Sequence, residues 1–255
     1  MSTPFRVRPT LWGLARSVAF ELAHSREKRY ECPACFFHGP FATAFASTGV
    51  RVQAICPRCG ALERHRLQIL VTRRIFERSA TRRMRMLHFA PEPFFRPVFS
   101  REFERYETAD FSMPGVDFRV DLQQLPFAAS SYDVIFASHV LEHIRDDLAA
   151  ICEIRRVLSP GGVAILPVPL VCEKTIEYPH PNPDESFHVR APGPDYFERF
   201  AEHFSRVELI SSSVFPAKHQ LHILESRMDF PNPRAPLRTP MAGSRHEDVV
   251  PVCHV

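Results

Sequence analysis

No apolar run in the sequence approaches the 18 or so residues that span a bilayer. The opening stretch, residues 1–23, carries Arg6, Arg8, Arg16 and Glu21 where a targeting signal would keep a clean hydrophobic core. The expectation is a soluble, cytoplasmic protein without an integral membrane segment. Strong charge of one sign is missing too: the formal net charge is +3, so global electrostatics demand neither nucleic acid nor a membrane as partner. An apolar content of 45% excludes the disordered and fibrous classes. There remains a globular chain of 255 residues, long enough for one α/β domain with a sizeable core plus an appendage.

The cysteines present are unevenly placed. Four form Cys32-Pro-Ala-Cys35 and Cys56-Pro-Arg-Cys59-Gly60, while Cys152, Cys172 and Cys253 stand alone. Two Cys-x-x-Cys pairs at this separation can bring four thiolates around one tetrahedral ion. Pro33 and Pro57 stiffen the two turns, and Gly60 permits the positive φ that such a knuckle uses. The segments between the pairs, Phe36–Phe45 and Val50–Ile55, read as short strands, the pattern of a zinc ribbon. So small a unit cannot bury enough surface to fold alone, and a metal supplies the cross-link. Metal ligands Cys32, Cys35, Cys56 and Cys59 with structural zinc are therefore expected, with a rubredoxin-like iron as the lesser choice. Reducible disulfides and a thioredoxin-like redox site are the competing readings; a reducing compartment opposes the first, and two Pro-containing pairs oppose the second.

Two helices flank the ribbon. Residues 11–22 place Leu11, Leu14, Ala15, Val18 and Leu22 on one side, read as a helix packed on the body of the protein, with peripheral membrane contact or a transit peptide as the alternatives. After the ribbon, Leu62–Phe76 has helical spacing and a run of arginines including Arg64, Arg66, Arg73 and Arg74. Such a stripe can grip RNA phosphates; on a nearly neutral chain, a solvated face pairing with nearby acids is the preferred account.

From Tyr106 to Val168 the sequence strings together strand-like runs, Tyr106–Asp110, Asp117–Asp121, Tyr132–Ser138 and Gly162–Val168. Several end in an acid or a polar loop, and carboxyl ends are where an open α/β sheet binds its ligand. The order Asp121-Leu-Gln-Gln-Leu-Pro-Phe127, Ser131-Tyr-Asp-Val-Ile-Phe136, His139-Val-Leu-Glu-His-Ile144 and Arg156-Val-Leu-Ser-Pro-Gly-Gly-Val163 closely resembles the class I S-adenosylmethionine-dependent methyltransferases, over roughly residues 84–226. The resemblance implies an α/β fold, a doubly wound Rossmann-like sheet of seven strands, with the small zinc ribbon as an N-terminal subdomain.

It also implies a transferase that moves a methyl from S-adenosylmethionine to a hydroxyl or amine of a small-molecule or carbohydrate-like acceptor. An RNA methyltransferase, or a binding protein that has lost its cofactor, are the alternatives. By the same resemblance the first strand is Arg85–Phe89, and the loop after it, Ala90-Pro-Glu-Pro93, has none of the glycines usual there. Cofactor contacts fall to His88, Ala90, Glu92, Asp110, Asp121, Leu122 and His139: Glu92 or the backbone for the ammonium, Asp110 for the ribose hydroxyls, Asp121 and Leu122 for the adenine. Either aspartate also suits a turn or helix cap. His139 and His188 are the catalytic candidates, with His180 a third choice of base. Glu142 and His143 are read as braces of the turn, and Arg190 as a substrate contact.

Residues 167–186 are rich in proline and read as an irregular substrate lid. Arg206–Ile210 and Gln220–Glu225 are expected as the last two strands, an antiparallel pair at the sheet edge. The expected divisions are an amphipathic basic segment (1–27), the ribbon (28–62), a basic linking helix (63–83), the methyltransferase domain (84–228) and a flexible proline-rich tail (229–255).

Overall fold

The computed structural model describes residues 4–46, 49–77, 79–226 and 244–255. The chain forms two compact units, one of residues 1–78 and 211–248, the other of 79–210 and 249–255.

The first unit opens with helix α1 (Leu11–Ala23), capped by the Thr10 hydroxyl, which accepts from the Gly13 amide at 3.0 Å. Its packed side is the polar one: Gly13 and Ser17 are buried, and a Cβ at Gly13 would lie 2.3 Å from the Arg58 carbonyl oxygen. The expected packing face points the other way, with Leu11, Leu14, Ala15, Val18 and Leu22 all exposed. Backbone approach at Gly13 and the bond from Arg16 Nε to the Pro57 carbonyl, 2.7 Å, anchor the helix instead.

Strands β1 (Tyr30–Glu31) and β2 (His38–Gly39) flank the first cysteine knuckle, and β3 (Ala42–Ala46) with β4 (Gly49–Ile55) makes an antiparallel hairpin that leads to the second. Helix α2 (Glu63–Phe76) follows. Its Arg66 is wholly buried and donates to the carbonyls of Ala54, Ala61, His219 and Gln220. Arg73 donates to the carbonyls of Pro4, Phe5 and Pro33, and Arg58 stacks on Phe37. Arg66 of the expected basic stripe thus ties the unit together from inside, while Arg58 and Arg73 are engaged nearer its surface.

The second unit is built on parallel strands β5 (Arg85–Phe89), β6 (Arg105–Asp110), β7 (Phe118–Arg119), β8 (Tyr132–Ala137) and β9 (Leu158–Ile165), with helices α3 (Arg96–Glu102) and α4 (Asp147–Val157) between them. On α4, Asp146 caps the start and Arg155 and Arg156 occupy the last turn, as the helix dipole favours. Its Ala150, Ile151, Ile154 and Val157 pack with Leu87, Ile135 and Ala164 of the sheet to form the core.

The expected lid is in part regular. Ile176–Asn182 (β10) pairs antiparallel with His188–Ala191 (β11). Helix α5 (Glu198–Ala201) and strand β12 (Arg206–Ser211) follow. The chain then contributes β13 (Ile223–Ser226) and β14 (Ser244–His246) to the first unit and returns as β15 (Val249–His254).

Two expectations are corrected by this return. The strand paired at the sheet edge with β12 is β15, not the segment near Gln220, because β13 joins β14, β4 and β3 in a separate four-stranded sheet. The end of the supposed flexible tail is buried structure: Val250, Val252 and Cys253 have no exposure, and β15 runs antiparallel to β9. Residues 229–243 of that tail lie outside the described residues. The large sheet has seven strands in the order β12-β15-β9-β8-β5-β6-β7, the doubly wound Rossmann-like arrangement expected. Strand order reverses between β5 and β8, which opens a crevice at the carboxyl ends of the strands.

Candidate functional site

That crevice is a cavity of about 520 Å³ in the second unit. Four successive strand ends supply its wall: Ala90 after β5, Asp110 at the end of β6, Asp121 and Leu122 beyond β7, and His139 after β8. Two of these residues hold backbone that L-residues seldom adopt, Ala90 at φ +44° and His139 at φ +56°. Each is fixed by its amide, Ala90 to the Ala109 carbonyl and His139 to the Pro167 carbonyl, both at 2.9 Å. A left-handed turn at Ala90 is what a glycine would ordinarily provide here, and the methyl is small enough to be tolerated.

The aspartates serve their own turns as well. Asp110 Oδ1 accepts from the amides of Ser112 and Met113 at 2.7 and 2.6 Å, leaving Oδ2 without a hydrogen bond among the described residues. Asp121 accepts from the amide and side chain of Gln123. Phe111, next to Asp110, lines the cavity although 74% exposed, an apolar surface at the mouth suited to a flat ring. Sequence reading overlooked it, although its position directly after the strand-end acid was a usable signal. This lining of strand-end acids and apolar side chains fits S-adenosylmethionine.

Beside His139 lies a group carried by the 3-10 turn Leu141–His143 and by β11. Glu142 is fully buried, and its Oε1 sits 3.4 Å from His139 Nδ1. Burial by itself would raise the carboxyl's pKa; the imidazole of His139 outweighs it and holds the group below its ordinary value. His143 lines the cavity, and its ring meets that of buried His188 edge to face, centroids 4.6 Å apart. Arg190 locks this assembly. Its guanidinium donates to the carbonyls of Leu141, Ile144 and Arg145 at 2.7, 2.6 and 2.9 Å, and its side chain is 1% exposed. The expected substrate contact at Arg190 is thus a buried clamp, because the turn's carbonyls need donors and the arginine fork reaches all three.

Other candidates lie elsewhere. His88 does not line the cavity: alternation along β5 turns Phe89 to the cavity and His88 to the opposite face. There it packs on Phe99 and Phe136, with Nδ1 2.9 Å from the Tyr106 hydroxyl, and burial pushes its pKa down to about 3. Glu92 is also absent from the cavity wall; its carbonyl accepts from Phe95 and Arg96 and starts α3. His180 is exposed on β10, and His188 does not line the cavity but contacts His143, which does.

In the first unit the four cysteine sulfurs lie within 4.8 Å of one another, with Cys32–Cys59 and Cys35–Cys56 at 3.7 Å. A disulfide needs about 2.0 Å, whereas a tetrahedron of ~2.3 Å zinc–sulfur bonds has edges of about 3.8 Å. The donor set therefore fits a tetrahedral ion. The residue after each knuckle takes positive φ, Phe36 at +60° and Gly60 at +76°, and the amides of both return to the first cysteine's carbonyl.

The second unit is a class I S-adenosylmethionine-dependent methyltransferase fold, and comparison with known proteins agrees. A family profile described as a methyltransferase domain matches residues 99–166. The ubiquinone/menaquinone biosynthesis C-methyltransferase UbiE of Desulfotalea psychrophila is 30% identical over 82 residues, 32% of this chain and 33% of that protein. An uncharacterized 37.1 kDa protein in transposon TN4556 of Streptomyces fradiae is 36% identical over 69 residues, 27% of this chain and 20% of that one. The chain thus spans a third or less of the length of these relatives. A crystal structure of an S-adenosylmethionine dependent methyltransferase from Mesorhizobium loti superposes with a TM-score of 0.51 at 13% identity, covering 74% of this chain and 98% of that one.

Proposed function

We propose that the chain is an S-adenosylmethionine-dependent methyltransferase acting on a hydroxyl or amine of a small-molecule or carbohydrate-like acceptor. The observation that carries this is the convergence of Ala90, Asp110, Asp121, Leu122 and His139 on one cavity at the switch point of the sheet. Asp110 would hold the ribose, Asp121 and Leu122 the adenine edge, and the backbone of the Ala90 turn, rather than Glu92, the amino-acid end. When bound, S-adenosylmethionine supplies a methyl already activated by its sulfonium. The chain then has only to align the acceptor and take its proton. His139, with Nδ1 turned to Glu142, presents its other ring nitrogen for that proton, an orienter-and-base pair of familiar logic. His188 would act through its contact with His143.

In the first unit, zinc at Cys32, Cys35, Cys56 and Cys59 would be structural, since four sulfurs leave no open position. Among the described residues no helix is long and apolar enough to cross a membrane, in keeping with a cytoplasmic enzyme. The exposed apolar side of α1 supports peripheral contact with a lipid surface, which vesicle flotation of a Trp12→Glu variant tests. RNA is the less favoured acceptor, because Arg58, Arg66 and Arg73 are engaged within their own unit.

Calorimetry with S-adenosylmethionine and S-adenosylhomocysteine tests the cofactor reading, followed by a screen of acceptors with labelled methyl donor. No binding of either cofactor form would leave a non-catalytic binding protein as the better account.

A further inference from the structure

We propose that Glu142, His143 and His188 form a second metal site, for a divalent first-row cation, next to the cofactor cavity. One ligand atom from each of the three lies within 4.8 Å of the others. Bonds of ~2.1 Å require the three to close in by less than about 1 Å, well within the reach of side-chain torsions. Two imidazoles and a carboxylate are the donor set of sites for iron(II), manganese and zinc, with coordination positions left open.

Burial of Glu142 is the independent observation. Its side chain has no exposure, and neither carboxylate oxygen has a hydrogen-bond partner among the described residues. Its Oε1 lies 3.4 Å from Nδ1 of the His139 imidazole. A carboxylate removed from water without hydrogen bonds is costly, and a cation bound to it offsets that cost. The exposed edge of His143 gives an ion a route in.

The site is also prearranged. Glu142 and His143 sit on the turn whose neighbouring carbonyls Arg190 holds, and His188 is two residues from Arg190 on β11, so one buried guanidinium fixes both halves. Its own charge is matched by Glu177 at 3.0 Å and Asp147 at 3.5 Å. Because His143 lines the cavity, an open coordination position would face it and could take an oxygen of the acceptor. Only this last use rests on the methyltransferase reading.

The test is Mn²⁺ titration of the whole 255-residue chain carrying only one equivalent of zinc, followed by electron paramagnetic resonance and calorimetry without S-adenosylmethionine. Thiolates prefer zinc, so Mn²⁺ reports the nitrogen and oxygen site. One equivalent should bind, weakened at least about tenfold in His143→Ala and in Glu142→Gln, and unchanged in His180→Ala. His143 is exposed, so that variant keeps its fold; circular dichroism checks each protein. Absence of Mn²⁺ binding at millimolar concentration, or binding indifferent to His143→Ala in folded protein, overturns the site. Cofactor calorimetry on metal-free protein fails or succeeds separately, which keeps the two readings apart.

Discussion

The Ala90 amide donates to the Ala109 carbonyl at 2.9 Å, joining the loop after β5 to the end of β6 while Ala90 itself stands at φ +44°. An alanine thus occupies a left-handed turn beside the cavity, at a cost of about 1 to 2 kcal/mol relative to right-handed backbone.

Ala90→Gly should therefore relieve strain, while added chain entropy in the unfolded state offsets part of the gain, leaving stability within about 1 kcal/mol of the parent. Ala90→Val adds a β-branch where φ is positive and should destabilise by at least about 1 kcal/mol more. Urea unfolding of the pair checks the sign; equal midpoints for the two variants would contradict the strained loop.

Asp110→Ala should weaken S-adenosylmethionine by about 1.5 to 3 kcal/mol through lost bonds to a charged group. Because Oδ1 also accepts from Ser112 and Met113, Asp110→Asn is the cleaner variant, keeping an acceptor for the turn. Calorimetry should find both weaker than the parent with the asparagine less affected, and unaltered affinity in both would exclude the ribose role.

Protein purified without chelator should contain one zinc per chain bound by sulfur, and Cys32→Ser or Cys59→Ser should lose both metal and protected amides in residues 28–62. Elemental analysis and hydrogen exchange are the readouts. A reduced parent without metal would contradict the site.

His88 predicts an acid-sensitive fold. Its pKa falls from an ordinary 6.5 to about 3 on folding, so between these values the unfolded chain binds the extra proton. Stability from this residue is complete above pH 6.5 and declines as pH drops toward 3, by up to about 1.4 kcal/mol per pH unit. In His88→Phe that slope should flatten over the same window, as urea titrations at several pH values would show; an unchanged slope would assign acid sensitivity to other groups.

Local pattern made much of this chain legible. The cysteine knuckles depend on spacing within a few residues, and the strand ends at Asp110 and His139 depend on a run of β-formers followed by a polar break. Both signals survive in a linear reading because they are short in range. The turn aspartates show the same limit from the other side: Asp110 and Asp121 were legible as cavity residues, yet their bonds to neighbouring amides emerge only with coordinates.

By itself the sequence determined the class of fold, the four-cysteine cluster and the strand-end residues, each through a pattern that a few consecutive residues carry. Tertiary structure alone decided the rest, because burial and pairing depend on which distant segment arrives. Arg66 became an interior clamp because the carbonyls of Ala54, Ala61, His219 and Gln220, from distant parts of the chain, converge within reach of its guanidinium. Residues 249–254, reached through a polar and proline-rich approach, became a strand flanked on both sides because β15 fills the slot between β9 and the edge strand β12. Glu142 and His188, 46 positions apart in the chain, meet only because Arg190 reaches across from β11 to bind the turn between them.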